Sequence, residues 1–387
     1  MPEAVIVDAV RTPIGRAFKG SLGSIRPDDL LAYTIDQLLE RNPDVDPATV
    51  NDVVAGCGMT QGEQAHNIGR IAVLLSQKLP DTVTGATIAR YCASSLNAIR
   101  IGADSIRAGD SDVYIAGGIE SVTRAGPHSE GTLPETQNPL LKGDNGHHNA
   151  YISMGETAEN VAERYGVTRE QQDEYAKRSQ DLAVEAQNSG FFDKEIIPVE
   201  LPDGTIVEKD DGPRADTTLE KLGQLKPVFR EGGTVTAGNA CPLNDGSAAV
   251  LLMSEDRATE LGLKPRARVI ASATSGNEPE YMGVAPIGAI KNVLARTGMT
   301  IEDIDVVELN EAFAAQVIPI MDECDIPLDK LNPHGGAIAL GHPFGQTGAR
   351  IMTTLLNDLE TLDKQYGLET MCVAGGQGMA MVVERLN

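Results

Sequence analysis

The sequence predicts an α/β protein assembled from two copies of one strand–helix–strand unit. Three observations carry this. Apolar, β-branched runs of strand length alternate with helical periodicities, which implies buried sheets covered by helices. Segments late in the chain echo early ones in the same order. A length of 387 residues with 41% hydrophobic content exceeds what one ordinary core holds.

The elements follow in chain order. AVIVDAVRTPIG reads as a first strand, without the basic region and long apolar stretch of a signal peptide. NDVVAGCGM, from Asn51, reads as another strand. In TIARYCASSLNAIRIGADSIRAG a strand-like run gives way to a helix, because Leu96, Ile99, Ala103 and Ile106 recur at helical spacing. DVYIAGGIES, from Asp112, is an apolar strand ending in glycines. Residues 121–236 break the pattern. They are rich in Gly, Pro, Asn and His at first and then helical, with Thr168 and Gln171 forming a capping box. So long an insertion reads as a binding loop domain. The first copy resumes after Gly238, where NACPLNDGSAAVLLMSEDRA reads as a helix start and then a strand.

The second copy repeats the first. ARVIASATSG, from Ala267, matches the opening strand, and IDVVELNEAF, from Ile304, matches NDVVAGCGM. The helical stretch after His342 matches the helix after Cys92, and TMCVAGGQGMA, from Thr370, matches DVYIAGGIES. The expected division is a first half of 1–120 with 237–264, the inserted 121–236, and a second half of 265–387.

The formal net charge is −24, from 56 acidic and 32 basic side chains. That argues against nucleic acid and anionic membranes as partners. Such self-repulsion is most tolerable where salt screens it, since the Debye length falls to about 3 Å at 1 M, so a halophilic source is expected. No apolar run approaches the ~20 residues that span a bilayer. Five cysteines without metal-ligand spacing fit a reducing cytoplasm and no bound metal.

Cys92 and Cys372 carry the chemistry. Cys92 sits at a helix N-terminus, where the macrodipole and free N–H groups favour a thiolate. Cys372 ends a strand that turns through glycines, which let backbone N–H groups crowd a reacting oxygen. Upstream, ELNEAFAAQ and NPHGGAIALGHPFGQTGAR supply Asn310, Glu311 and His342. Two cysteines, a histidine and an asparagine on Gly-rich turns point to covalent acyl transfer.

These segments, in this order and over nearly the whole chain, resemble the thiolase family. YCASSLNAIRIGADSI resembles its nucleophile segment, NEAFAAQ its asparagine motif, NPHGGAIALGHPFGQTG its histidine motif and CVAGGQG its second-cysteine motif; GTVTAGNACPLNDGSAA matches a further segment. The resemblance implies the thiolase fold: two βαβαβαββ halves forming a layered αβαβα core, with a loop domain inserted in the first half. It implies an acyltransferase in which Cys92 is acylated, His342 takes its proton and Cys372 is acid and base at the carbon alpha to the thioester. One oxyanion hole would come from His342 and a water held by Asn310. The other would come from the backbone N–H groups of Cys92 and Ala374.

Coenzyme A is then a substrate, and no cofactor is permanently bound. The resemblance places Arg214 and Lys221 at its nucleotide, in a local basic cluster with Lys226 and Arg230. Leu225, Val228 and Phe229 would line the pantetheine channel, with Ala237, Cys241, Leu243, Met154, Met282 and Phe313 at further channel positions. Cys241 stands where relatives often carry serine. Cys57, Cys324, His66, His128, His147 and His148 are read as inert or solvated, His334 as locally structural, and Glu311 as orienting its neighbours.

The resemblance implies a homodimer or tetramer. Ser153, before Met154, stands where biosynthetic relatives often have histidine, and the preceding loop is shorter than their tetramer-forming loop. Both favour a 3-ketoacyl-CoA thiolase and a dimer over a biosynthetic acetoacetyl-CoA thiolase. A non-catalytic lipid carrier or assembly subunit on this fold would lack the nucleophile or its partners. A ketoacyl synthase or hydroxymethylglutaryl-CoA synthase relative would lack CVAGGQG.

Overall fold

The repeat read in the sequence is built as two half-sheets that meet edge to edge. The structure is a computed structural model that describes residues 2–125, 137–143 and 147–387. The first half contributes β1 (Ala4–Arg11), β2 (Gly15–Arg16), β3 (Asp52–Cys57), β4 (Thr84–Ile88) and β5 (Val113–Ser121). The insertion carries a short pair, β6 (Val199–Glu200) and β7 (Ile206–Val207), and β8 (Asn244–Ser254) closes the half. The second half holds β9 (Ala267–Gly276), β10 (Val306–Leu309), β11 (Tyr366–Val373) and β12 (Gln377–Arg385).

The strand order β3-β5-β8-β1 in one half is repeated as β10-β11-β12-β9 in the other. In each, the first pair is parallel and the next two are antiparallel. The halves join where β1 pairs β9, with Val5 opposite Arg268 and Ile6 opposite Ala267. β4 extends the first half beyond β3 as its edge. Every residue of β1, β5 and β8 is buried, as expected of strands covered on both faces.

The helices make the layers. They are α1 (Pro27–Arg41), α2 (Ile68–Leu75), α3 (Ser94–Ala108), α4 (Met154–Tyr165), α5 (Arg169–Ser189), α6 (Leu219–Gly223), α7 (Glu255–Glu260), α8 (Ala285–Thr297), α9 (Ala314–Glu323), α10 (Ala337–Leu340) and α11 (Thr347–Thr361). α1 and α2 cover the outer face of the first half through Leu31, Ile35, Leu38 and Ile68. α8 and α9 cover the second half through Ile290, Val293 and Val317. Between the halves lie α3 and α11, whose Leu96, Ile99, Met352 and Leu355 share one core with strands of both. The result is the five-layer αβαβα stack. α4, α5 and α6 belong to the insertion, and α5 opens with the expected Thr168–Gln171 capping box.

Two sequence expectations are corrected. No helix starts at 239–243: Asn239 turns the chain by accepting from the Thr236 N–H at 2.8 Å, and the Cys241 N–H goes to the Ala312 carbonyl at 2.9 Å. The strand β8 follows directly. The two glycine-ended strands also differ, because β5 runs on through Gly117 and Gly118 whereas β11 stops at Val373. Gly375 and Gly376, at φ +80° and +78°, then turn the chain tightly into β12.

Candidate active site

The two halves present equivalent ends to one pocket. Cys92 lies in the 3₁₀ turn Tyr91–Ala93 that runs into α3, and His342 lies in the loop that runs into α11. Asn310 follows β10, and Cys372 sits near the end of β11. All four side chains are buried. Tyr91 holds a left-handed backbone, φ +43°, a strain of order 1 kcal/mol in a non-glycine residue, and this turn fixes where Cys92 stands.

Hydrogen bonds define the state of the histidine. The Thr347 hydroxyl donates to the Pro343 carbonyl at 2.8 Å, so its oxygen is free to accept from His342 Nδ1–H at 2.6 Å. That assigns the proton to Nδ1 and leaves Nε2 as a bare lone pair facing Asn310 Nδ2 at 3.3 Å. The backbone is held too: the His342 N–H donates to Asn244 Oδ1 at 2.9 Å. Burial, with Arg350 adding to it, pushes His342 down to about 3, so the ring is neutral across the physiological range. Asn310 Oδ1 is buried without a hydrogen-bond partner among the described residues, an acceptor aimed into the site.

The thiols are neutral at rest. Burial pushes Cys92 up to about 12, against the pull of backbone N–H groups of Ala374 and of Cys92 itself. The resting thiolate expected from the helix N-terminus is therefore corrected: desolvation by burial outweighs dipole and N–H groups. Cys372 is likewise raised by burial, then by the nearby Cys92 and Cys241, and its Sγ lies 3.5 Å from Gln316 Oε1. Cys241 is driven up by burial and by Cys92. Three sulfurs thus share one low-dielectric site.

Of the expected channel residues, Met154, Cys241, Met282 and Phe313 pack in one apolar cluster with Cys372. Phe229 meets Phe313 edge-on at 5.9 Å, and Gly155 leaves room for its ring, since a Cβ there would lie 2.1 Å from it. Leu225, Val228 and Phe229 are 39%, 55% and 40% exposed, and through Phe313 the exposed Phe229 ring touches the cluster that holds Cys372. Leu243 is half-buried at its side, and Ala237 is exposed at the surface.

Two members of the basic cluster are paired with carboxylates. Lys221 is held by Asp216 at 2.7 Å, and Arg230 is held by Glu156 at 2.7 Å and Glu163 at 3.4 Å. Arg214 and Lys226 make no ion pair among the described residues.

Other side chains are placed as supports. Glu311 is fully buried and accepts from Tyr175, Ser179, Asn332 and the Ile338 N–H, tying α5 and α10 to the asparagine turn. His334 stacks on Phe191 at 3.6 Å and meets Asp358 at 2.5 Å, a local structural role. His148 meets Glu280 at 3.1 Å, a carboxylate that local spacing could not reveal, and no metal-binding group forms among the described residues. His66 and His147 are exposed, Cys57 and Cys324 are buried free thiols, and His128 lies outside the described residues.

Sequence reasoning missed several residues. Thr347, Gln316 and Asn244 lie inside motifs already quoted, but nothing in their spacing shows what they touch. Glu120 is the fourth. Fully buried, it accepts from Gly58 N–H at 2.8 Å, Met59 N–H at 3.2 Å and Gly345 N–H at 2.8 Å, and so clamps the histidine loop onto the ends of β3 and β5.

A family model described as the thiolase N-terminal domain matches residues 4–256, and one described as the thiolase C-terminal domain matches 263–385. The chain belongs to the thiolase family. As a thiolase it is an acyltransferase. It is 46% identical to the β-ketoadipyl-CoA thiolase of Acinetobacter baylyi, with all of both chains covered. Among solved structures, the acetyl-CoA acetyltransferase of Bacillus anthracis superposes with a TM-score of 0.91 at 40% identity, covering 100% of this thiolase and 99% of that chain. The dimeric peroxisomal thiolase of Saccharomyces cerevisiae superposes with a TM-score of 0.92 at 38% identity, covering 100% and 98%.

Proposed function

We propose that this thiolase cleaves 3-ketoacyl-CoA thiolytically on Cys92, His342, Asn310 and Cys372. The observation that carries the reading is the unprotonated Nε2 of His342, oriented by Thr347 and facing the Asn310 amide, in the buried pocket that also holds the thiols of Cys92 and Cys372 beside Cys241. As the Cys92 sulfur attacks the 3-keto carbon, its proton passes to His342 Nε2; the oxyanion formed at that carbon takes its hydrogen bonds from the N–H groups of Cys92 and Ala374, while the protonated His342 donates to the thioester oxygen on which the enolate charge develops. The bond between C2 and C3 breaks, and Cys372 delivers its proton to C2, releasing acetyl-CoA. The acyl group remains on Cys92, whose thioester carbonyl takes its hydrogen bonds from the N–H groups of Cys92 and Ala374. The thiol of an incoming CoA attacks this carbonyl, its proton restoring Cys372 by way of the pocket; the bond from Cys92 to the acyl carbon breaks, the Cys92 sulfur takes back its proton from His342, and the shortened acyl-CoA leaves. Starting from neutral thiol and neutral imidazole, the proton moves only when substrate is present, which protects the sulfur at rest.

The reading extends to degradation, with a carboxylate-ended acyl chain as substrate. The identity with the β-ketoadipyl-CoA thiolase supports it. Ser153 supports the direction, since it serves as N-cap of α4 where biosynthetic relatives often have histidine. Loss of acetoacetyl-CoA enolate absorbance on adding CoA tests the activity. A series of 3-ketoacyl-CoAs, 3-ketoadipyl-CoA included, tests the preference, and a kcat/KM highest for acetoacetyl-CoA would overturn it in favour of the biosynthetic reading.

A cytoplasmic homodimer completes the proposal. The half-exposed edge strand β4, exposed Leu74 and Tyr91 beside it, and the dimeric yeast structure support the dimer, and five free thiols support the compartment. Sedimentation measures the first. The charge of −24 supports adaptation to high salt, and unchanged stability after dialysis into low salt would remove that part.

A further inference from the structure

The reaction assigned to Cys372 leaves a thiolate where little supports one. Delivering the proton to C2 breaks the S–H bond, forms a C–H bond and leaves the electron pair on sulfur. That residue is 2% exposed, and burial, then Cys92 and Cys241, oppose the charge against the pull of its own backbone N–H. Both neighbouring thiols are themselves driven up by burial, so they bring no positive charge.

One polar side chain reaches this sulfur. Gln316 lies in the first turn of α9, just beyond the Asn310 turn, and is 2% exposed. Its Oε1 accepts from the Cys372 S–H at 3.5 Å. Its Nε2 is buried without a hydrogen-bond partner among the described residues. A buried amide donor left unpaired is costly, so its presence beside a reacting thiol calls for a use.

Packing fixes where the side chain lies. Gly283, in the turn Pro279–Val284 that also carries Met282, stands against it: a Cβ there would lie 2.3 Å from Gln316 Cγ and 2.4 Å from its Nε2. The backbone is held too, the Gln316 N–H donating to the Phe313 carbonyl at 3.0 Å. What this leaves free is an end-for-end turn of the amide. Its two halves are nearly equal in size, and the last torsion of glutamine is broad and two-fold, so the turn needs no new space. With Oε1 toward the sulfur the amide suits a thiol, and with Nε2 toward it a thiolate.

We propose that Gln316 is the positioning residue of Cys372: it accepts from the S–H at rest and turns its amide to donate Nε2–H once the proton has gone to C2. This rests on the thiolase reading for the role of Cys372. Gln316→Met keeps the length of the side chain and removes both polar atoms. It should slow exchange of the acetyl-CoA alpha protons with deuterated solvent about 10- to 100-fold, the loss expected for a hydrogen bond to a buried charge. The acetyl mass added to the Cys92 peptide should be unchanged, because that step does not use Cys372. Alkylation of Cys372 by iodoacetamide, read on its own peptide across a pH series, should move to higher pH, since the thiolate has lost its donor. Exchange as fast as wild type or an unmoved alkylation profile would overturn the proposal. Equal loss of acetylation and exchange would do so as well, because Gln316 would then only fill space. Gln316→Glu covers a methionine variant that fails to fold. Burial keeps its carboxyl protonated, so it retains one donor and one acceptor and should exchange within about 5-fold of wild type; a larger loss would overturn the proposal. If wild type itself exchanges no alpha protons, the thiolase reading of Cys372 fails instead, and the alkylation profiles still decide whether Gln316 governs the thiol.

Discussion

Replacing Thr347 with valine tests the histidine geometry at its least obvious point. Valine keeps the shape and removes the hydroxyl that accepts from His342 Nδ1–H at 2.6 Å. The site is fully buried, so no bulk water replaces that acceptor. Leaving a buried N–H unpaired costs about 1–3 kcal/mol. The ring can escape only by moving its proton to Nε2, which then points a donor at the Asn310 amide 3.3 Å away and removes the lone pair that would receive the Cys92 proton. Either route raises the barrier to acylation by a similar amount, so kcat/KM should fall about 10- to 100-fold. Thr347→Ser restores both hydrogen bonds and should recover most of the rate. The assay is acetoacetyl-CoA thiolysis followed by enolate absorbance, with thermal unfolding run alongside to confirm folding. A Thr347→Val enzyme as fast as wild type would refute the tautomer assignment, and so would a Thr347→Ser enzyme as slow as the valine variant.

Further predictions concern the cysteines and the buried carboxylates. Incubation with acetyl-CoA should add an acetyl mass to the peptide containing Cys92, and Cys92→Ser should lose turnover by orders of magnitude; label on Cys57 or Cys324 would reverse the assignment. Cys372→Ala should still acquire an acyl group on Cys92 yet fail to exchange the alpha protons of acetyl-CoA, and normal exchange would exclude its acid–base role. Burial pushes Glu120 up to about 7, so the clamp on the Gly345 N–H should weaken below that pH. The kcat/KM of wild type should then fall on acidification with an inflection near 7 that Glu120→Gln lacks; an unaltered inflection in the variant would show that another group titrates. Glu369 is fully buried, neither of its oxygens has a hydrogen-bond partner among the described residues, and burial drives its pKa well above the ordinary 4.5. Its stabilising contribution is complete below the unfolded value and is lost as pH rises toward the folded one, at about 1.4 kcal/mol per pH unit. Glu369→Gln should therefore compare more favourably with wild type at pH 8 than at pH 5, and an equal difference in melting temperature at both would contradict the linkage.

The sequence by itself determined what local patterns encode. Apolar runs and helical spacing located β1, β3, α3, β5 and α5, because strand alternation, helical periodicity and capping are properties of neighbouring residues. The internal echo placed Cys92 and His342 at equivalent positions, ahead of α3 and α11, and motif order was enough to name the family. Where the pattern is interrupted the reading was looser, as at 239–243, where Pro242 and the turn at Asn239 replace the expected helix start. Tertiary structure decided the state of the groups. Cys92 was expected to rest as a thiolate because its helix N-terminus is visible in sequence, whereas the desolvation that overrules it arises only from burial of the sulfur in the folded chain. Likewise a linear string shows Lys221 and Arg230 only as cations in a cluster, whereas the fold pairs Lys221 with Asp216 and Arg230 with Glu156 and Glu163 of α4. Thr347 and Glu120 acquire meaning only when loops distant in sequence meet. Charge, proton position and availability depend on distance and dielectric, which the folded layers set and residue spacing does not.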